Sequence, residues 1–469
     1  MPQPHKFNPS ILREYDIRGV VGQTLETADA YNIGLGFGTV VRRAGGQNVV
    51  VGYDGRLSSP GMQERLVQGL RETGCDVISI GIGPTPMSHF ASHHLNADAS
   101  IMVTGSHNPS DYNGFKMSLK KKPFFGAAVQ ALGRQCADGD YDIAPALGKF
   151  SQVDVRNAYL ARLMQDFAPG RALNVVWDGG NGSAGEVLQQ LVKKLPGTHT
   201  VLFGDIDGTF PNHHPDPTVD KNMVQLQAKM KEVGADLGIA FDGDGDRIGA
   251  IDNNGTIIRC DMLLALYAAE VIAAQPGATI IGDVKCSGAL FAEIERLGGT
   301  PLMSRTGHAL VKSKMAETGS PLAGELSGHI FFADKYYGFD DALYCAVRLL
   351  NIVGSGDAQL SDRLAHLPSR LGTPEIRFEV ADDRKFAVAD RLKAHLLAAF
   401  EGQGYTLSDI DGIRLDGPKG WLLIRPSNTQ PAMVARIEAQ TPDVLALLTA
   451  RLEEALAKEQ LSLPAENNH

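Results

Sequence analysis

Tryptophan occurs twice in these 469 residues and cysteine five times, with no C-x-x-C pair. Cys75, Cys136, Cys260, Cys286 and Cys345 are odd in number and scattered along the chain. They make neither a disulfide framework nor a zinc site, and a reducing, cytoplasmic compartment is expected. No hydrophobic run is long enough for a bilayer: the most apolar stretch, Leu263 to Ala274, contains Glu270 and reads as a core helix. The opening residues MPQPHKFNPS lack the apolar segment of a secretory signal. Positive charge is in deficit, 44 Lys and Arg against 54 Asp and Glu, for a net charge of −10. That excludes a global nucleic-acid footprint. An anionic substrate then needs a locally basic cleft or a bound cation.

What the chain has in quantity is glycine, 52 residues, and proline, 24, spread along its length. They predict many tight turns in a chain too long for one core. Short β-branched runs recur, each followed by a small-residue turn and an amphipathic stretch, the pattern of α/β architecture. Three such units look alike: VVVGYD-GRLSSPG-MQERLVQGLRETG, NVVWD-GGNGSAG-EVLQQLVKKL and TIIGD-VKCSG-ALFAEIERLGG. Each strand ends in an aspartate, Asp54, Asp178 and Asp283, a whole domain's length apart, so domain-sized repetition is expected. The last stretch differs: predicted strands at Glu375 to Val380 and Trp421 to Arg425 alternate with predicted helices at Asp383 to Phe400 and Asp443 to Lys458, an α+β pattern. Breaks near 150, 255 and 368 give four expected domains, 1–150, 151–255, 256–368 and 369–469.

Four stretches carry chemistry. In DLGIAFDGDGDRIGAID a strand runs into Asp242, Asp244 and Asp246, followed by Arg247. Carboxylates at alternate positions repel one another unless a cation joins them, and hard oxygen ligands suit Mg²⁺. A calcium loop is excluded, because Arg247 stands where glycine is needed and Asn253 where glutamate is needed. In ASIMVTGSHNPSDYNGFKM an apolar strand delivers Ser106 beside His107, with Lys116 nearby, and Ser106 reads as a nucleophile or a phosphate ligand. A G-x-S-x-G elbow is excluded, since positions 104 and 108 are not glycine. In GELSGH, Glu325, Ser327 and His329 alternate, so an extended backbone sets them on one face, able to hydrogen-bond vicinal sugar hydroxyls. In WLLIRPSNTQP a strand ends in Arg425, then Ser427, Asn428 and Thr429, an anion site between two prolines.

Together, and with Glu14-Tyr15-Asp16-Ile17-Arg18-Gly19 ahead of them, these stretches resemble the α-D-phosphohexomutases, in their bacterial phosphomannomutase/phosphoglucomutase branch. The resemblance covers nearly the whole chain with every motif in order. It implies three related α/β domains with mixed sheets and a C-terminal α+β domain like the TATA-box-binding protein, around a central cleft. It implies that Ser106 carries phosphate and that Asp242, Asp244 and Asp246 hold Mg²⁺ together with the Ser106 phosphate. Glu325, Ser327, His329, Gly307 and Lys285 would meet the sugar. Arg425, Ser427, Asn428 and Thr429 would hold the phosphate that is not in transfer. Tyr15, Arg18, His107, Asn108, Lys116, Arg247 and His308 match further active-site positions. The implied reaction interconverts hexose 1- and 6-phosphates of mannose and glucose through phosphoserine and a hexose 1,6-bisphosphate, with His308, Lys116 or His107 moving the hydroxyl proton. The implied enzyme is a monomer acting on small sugar phosphates, with no nucleic acid or membrane partner.

Three rivals are weighed against this, one of them a non-catalytic sugar-phosphate sensor, which would not need Ser106 and the three aspartates together. A HAD-type phosphatase with Asp242 as nucleophile needs Thr or Val at position 246, which is aspartate. Phosphoglucosamine mutase, of the same family, usually has Gln at the position of Leu326 and Gly at that of Asn428.

Overall fold

The computed structural model describes residues 3–368, 370–381, 383–427 and 431–464. It divides into two compact units, one of residues 1–263 with 327–363, the other of 264–326 with 364–469.

In the first unit, the strand Asn48–Tyr53 lies between Asp76–Ile82 and Ala99–Val103, parallel to both. Tyr112–Leu119 then runs antiparallel to Ala99–Val103 and carries Ile17–Val20 on its outer edge. The Val- and Ile-rich strands read as continuous apolar runs because helices cover a parallel sheet on both sides. Val49, Val51, Ile101 and Val103 accordingly pack with Phe37, Leu66 and Phe115 in one fully buried core. A second sheet repeats the plan: Leu173–Asp178 lies between Gly197–Leu202 and Leu237–Phe241, parallel to both, with Ile248–Ile251 antiparallel beyond.

In the second unit the plan appears a third time. Thr279–Asp283 lies between Thr300–Ser304 and Leu322–Gly324, parallel to both. Asp178 and Asp283 close their central strands, as the sequence expectation has it, and Asp54 follows directly on Tyr53, where the first one ends. In all three, the loop after the later flanking strand is one of those singled out for chemistry: 104–108, 242–247 and 325–329. The parallel pairing puts these loops at the carboxyl ends of strands, where ligands of open α/β sheets bind.

The remaining sheet is antiparallel. Its strands Ile413–Gly417, Gly420–Pro426 and Ala432–Ala439 pair in sequence. The helices Lys385–Ala399 and Pro442–Lys458 place Leu392, Leu396, Leu448 and Leu452 in the core with Leu422, Ile424 and Ile437. This is the expected α+β pattern. No helix among the described residues is long and apolar enough to cross a membrane.

Candidate active site

The strand Ala99–Val103 is buried along its whole length and delivers Thr104, Gly105 and Ser106. Ser106 has φ +51°, in the left-handed region. A residue with a Cβ adopts it only where the surroundings impose it, at a cost on the order of 1 kcal/mol. Its N–H donates to Thr104 Oγ1 at 2.8 Å. Its Oγ lies 3.2 Å from Asp242 Oδ2 and 3.3 Å from His107 Nδ1. Burial, reinforced by the cations Arg247 and Arg18, pushes the His107 imidazole well below its ordinary value, so the ring is neutral.

The equally buried strand Leu237–Phe241 leads into the three aspartates. Gly245, at φ +72°, lets that loop curl. A Cβ on Gly243 would stand 2.4 Å from the Ser106 carbonyl oxygen, so glycine there allows the two loops to touch. Ligand atoms of Asp242, Asp244 and Asp246 all lie within 4.8 Å of one another.

Each of these carboxylates commits one oxygen to the protein. Asp242 Oδ1 accepts the N–H groups of Asp246 and Arg247, both at 3.1 Å. Asp244 Oδ2 accepts from Thr85 Oγ1 at 2.5 Å, Lys116 Nζ at 2.7 Å and Thr104 Oγ1 at 3.1 Å. Asp246 Oδ2 accepts from Lys116 Nζ at 2.5 Å. Asp242 Oδ2 then faces Ser106 Oγ, while Asp244 Oδ1 and Asp246 Oδ1 are buried without a hydrogen bond among the described residues. His329 Nδ1 lies 3.5 Å from Asp246 Oδ1. Buried carboxylate oxygens left without a hydrogen bond are costly, and these two of Asp244 and Asp246, with Asp242 Oδ2 beside Ser106 Oγ, are a fit for a hard divalent cation.

The charges agree. Burial, then the charges of Asp244 and Asp246, push the Asp242 carboxyl well above its ordinary range. For Asp244 burial acts the same way, but the Lys116 ammonium outweighs it and the net direction is down. Burial would lower Lys116, and the same two carboxylates hold it raised and protonated.

Around this centre, Arg247 Nε donates to His329 Nε2 at 3.0 Å. On the other side of the ring, His329 Nδ1 lies 3.1 Å from Asp340 Oδ2. Ser327 is half-buried two residues before it. Arg18 donates to Asn108 Oδ1 at 2.6 Å and pairs with Asp16. Tyr15 is half-buried in the turn ahead of that strand. The first unit thus gathers Arg18, Ser106, His107, Asn108, Lys116, the three aspartates, Arg247 and His329.

The second unit gathers the others. Glu325 is buried and its Oε1 accepts the Gly307 N–H at 2.5 Å. His308 opens the helix His308–Thr318. Lys285 Nζ lies 2.8 Å from Glu375 Oε1 and 3.7 Å from Asp283 Oδ2. Burial would lower its pKa, and these carboxylates with Glu325 hold it raised. Asp411 Oδ2 joins two loops, accepting the Thr306 N–H at 3.0 Å and lying 2.9 Å from Arg425 Nε. Arg425 Nη2 is buried without a hydrogen bond among the described residues, a donor suited to an anion. Ser427 is buried, and its carbonyl accepts from Lys385 Nζ at 2.7 Å. Asn428 and Thr429 lie outside the described residues.

One expectation needs correction. The stretch from Glu325 to His329 is not extended: it turns at Leu326 and Ser327, and Gly328 has φ +101°. Polar residues alternating with Gly and Leu read alike for an edge strand and for a turn. Sequence reasoning also missed Arg56, Thr85, Asp340, Glu375 and Asp411. Their partners lie far along the chain, so no local pattern marks them.

Comparison with known proteins agrees with this architecture. The phosphoglucomutase/phosphomannomutase α/β/α domains I, II and III match residues 9–137, 157–255 and 259–371, and the C-terminal domain of the same family matches residues 375–455. A phosphomannomutase/phosphoglucomutase of Pseudomonas aeruginosa is 44% identical over 97% of both chains. A phosphoglucomutase of Neisseria meningitidis is 40% identical over 92% of this chain and 93% of its own. The crystal structure of a phosphoglucomutase/phosphomannomutase family protein from Burkholderia thailandensis superposes with a TM-score of 0.91 at 43% identity, covering 98% of this chain and all of the other. The chain belongs to the phosphoglucomutase/phosphomannomutase family, the α-D-phosphohexomutases, in its bacterial branch.

Proposed function

We infer that the chain interconverts hexose 1-phosphates and hexose 6-phosphates as a phosphomannomutase/phosphoglucomutase. The observation that carries the chemistry is Ser106, on a left-handed backbone, with its Oγ 3.2 Å from one of three clustered aspartates.

In this reading Ser106 carries the phosphoryl group and passes it to the free hydroxyl of a hexose monophosphate. The resulting hexose 1,6-bisphosphate turns around, returns its other phosphoryl group to the serine and leaves as the isomer. Asp242, Asp244 and Asp246, with a phosphate oxygen on Ser106, would hold Mg²⁺, which when bound neutralises charge on the phosphoryl group. Arg247, oriented by His329, is a second cation for that charge. Lys116, protonated between Asp244 and Asp246, is a proton donor, while His107 and His308 offer ring nitrogens to take the hydroxyl proton. Arg425 and Ser427, with Asn428 and Thr429, would hold the phosphate not in transfer. Glu325, Ser327, His329, Gly307 and Lys285 would meet the sugar. The four-domain division read from the sequence assigns one of these loops to each domain. All these residues belong to one chain, so the reading needs a monomer only. Five buried cysteines, none in a disulfide among the described residues, support the cytoplasm as its compartment.

The test is the phosphate itself. Purified protein incubated with glucose 1,6-bisphosphate should gain one phosphate by intact mass, mapped to Ser106, and Ser106→Ala should lose both this label and all but a trace of mutase activity. Full activity in Ser106→Ala would refute the assignment.

A further inference from the structure

Arg56 is 1% exposed, and its guanidinium spends every one of its N–H groups on the Ser106 loop and its support. Nη2 donates to the carbonyls of Ser106 at 2.8 Å and Asn108 at 2.6 Å. Nη1 donates to Pro109 and, at 2.9 Å, to Tyr112. Nε donates to Asp54 Oδ2 at 3.1 Å. The same Asp54 carboxylate accepts the Gly105 N–H at 3.1 Å, the Arg56 N–H at 3.1 Å and Ser59 Oγ at 2.5 Å. Arg56 also lies over the Phe210 ring, 5.2 Å from its centroid.

We propose that Arg56 is the positioning residue that holds Ser106 in its reactive conformation. A buried cation with one carboxylate for company is expensive. Neutral carbonyl oxygens elsewhere are commonly satisfied by backbone N–H groups or water, so a guanidinium committed to four of them fixes a shape. That shape includes the left-handed backbone of Ser106, which the local bond from its N–H to Thr104 Oγ1 would not fix alone. Arg56 is too deeply buried to touch a substrate, so it acts through Ser106. The fit is specific to arginine: five N–H groups fan out from a rigid plane, whereas a lysine has three donors at one point. The clamp is tight enough that a Cβ on Gly105 would stand 2.4 Å from the Arg56 guanidinium carbon.

The inference rests on Ser106 being the phosphate carrier, so the unaltered enzyme is labelled with glucose 1,6-bisphosphate first. A wild-type protein without phosphate on Ser106 refutes that reading, and this inference with it. Where wild type is labelled, Arg56→Lys is expected to lower kcat roughly a hundredfold, the cost of a misplaced reacting group, while KM for glucose 1-phosphate stays within about threefold. Its phosphoserine signal in phosphorus NMR should broaden or move. A purely structural role would lower Tm and the folded yield but leave kcat per folded molecule and the phosphorus signal as in wild type. A folded Arg56→Lys with those wild-type values therefore overturns the proposal while the carrier reading stands. Arg56→Gln, measured the same way, decides the matter where the lysine variant is not recovered folded.

Discussion

Asp244 divides its oxygens between two tasks. Oδ2 takes three donors, Thr85, Thr104 and Lys116, and Oδ1 is left for a ligand. An amide cannot serve both sides, because one of its two heavy atoms donates and does not accept. Asp244→Asn therefore either turns an NH₂ toward the ion position or sets one against the Lys116 ammonium. It also removes half of the charge that keeps Lys116 protonated. The expected result is a folded protein whose apparent Mg²⁺ affinity falls by roughly ten- to a hundredfold and whose turnover falls with it. Titration of activity with Mg²⁺ after chelator treatment reads this directly. Wild type should be inactive in excess chelator and recover on addition of Mg²⁺. A wild-type enzyme fully active in excess chelator, or an Asp244→Asn titration curve that overlays wild type, contradicts the assignment.

The three central strands show what kind of structure could be read beforehand. A run such as VVVGYD or TIIGD is apolar because both faces of a parallel strand are covered, and its closing aspartate marks where the chain turns. Asp54 takes the Gly105 N–H and Asp283 takes the Leu326 N–H, each tying down the chemical loop of its own sheet. Asp178 instead bonds Gly180 and His213. The run and the aspartate are local and legible. Which loop the aspartate holds depends on chain dozens of residues away, and the sequence does not mark it. Arg56 has the same history: in GYDGR it reads as a turn residue, and its meaning comes from the carbonyls of 106–112. Asp341 is another such residue. It caps the helix Ala342–Gly354 through the Tyr344 N–H and accepts the hydroxyls of Tyr159 at 2.8 Å and Tyr336 at 2.7 Å. Burial, only partly offset by these hydrogen bonds, raises its carboxyl from 3.8 to about 6. Between those values the folded state still holds a proton that the unfolded state has released. This residue's share of stability is therefore present at low pH and is lost as pH rises through the window, about 3 kcal/mol in all. Asp341→Asn cannot ionise, so its urea midpoint should fall less than wild type's between acid and neutral pH. Parallel pH profiles for the two proteins would count against the buried-carboxyl account.

At the scale of the whole molecule the two compact units hold different parts of the task. Ser106, proposed as the phosphate carrier, and the three aspartates belong to the first, and Lys285, Gly307, His308, Glu325 and Arg425 to the second. In the function proposed above, Glu325, Ser327 and His329 would reach the 3- and 4-hydroxyls, which glucose and mannose share. The two sugars differ only in configuration at C2. None of the site residues placed above is assigned to that carbon. A site that does not hydrogen-bond C2 can discriminate there by sterics alone, and the difference in transition-state binding is then small. Glucose 1-phosphate and mannose 1-phosphate should have kcat/KM values within about tenfold, or ~1.4 kcal/mol. Glucosamine 1-phosphate should be poorer, since its 2-ammonium brings a charge that no carboxylate is assigned to meet. Steady-state assays of the three with a catalytic amount of glucose 1,6-bisphosphate test both statements. A preference beyond about a hundredfold for one epimer would require a direct C2 contact, and it would move the search for that contact to side chains outside Glu325, Ser327 and His329.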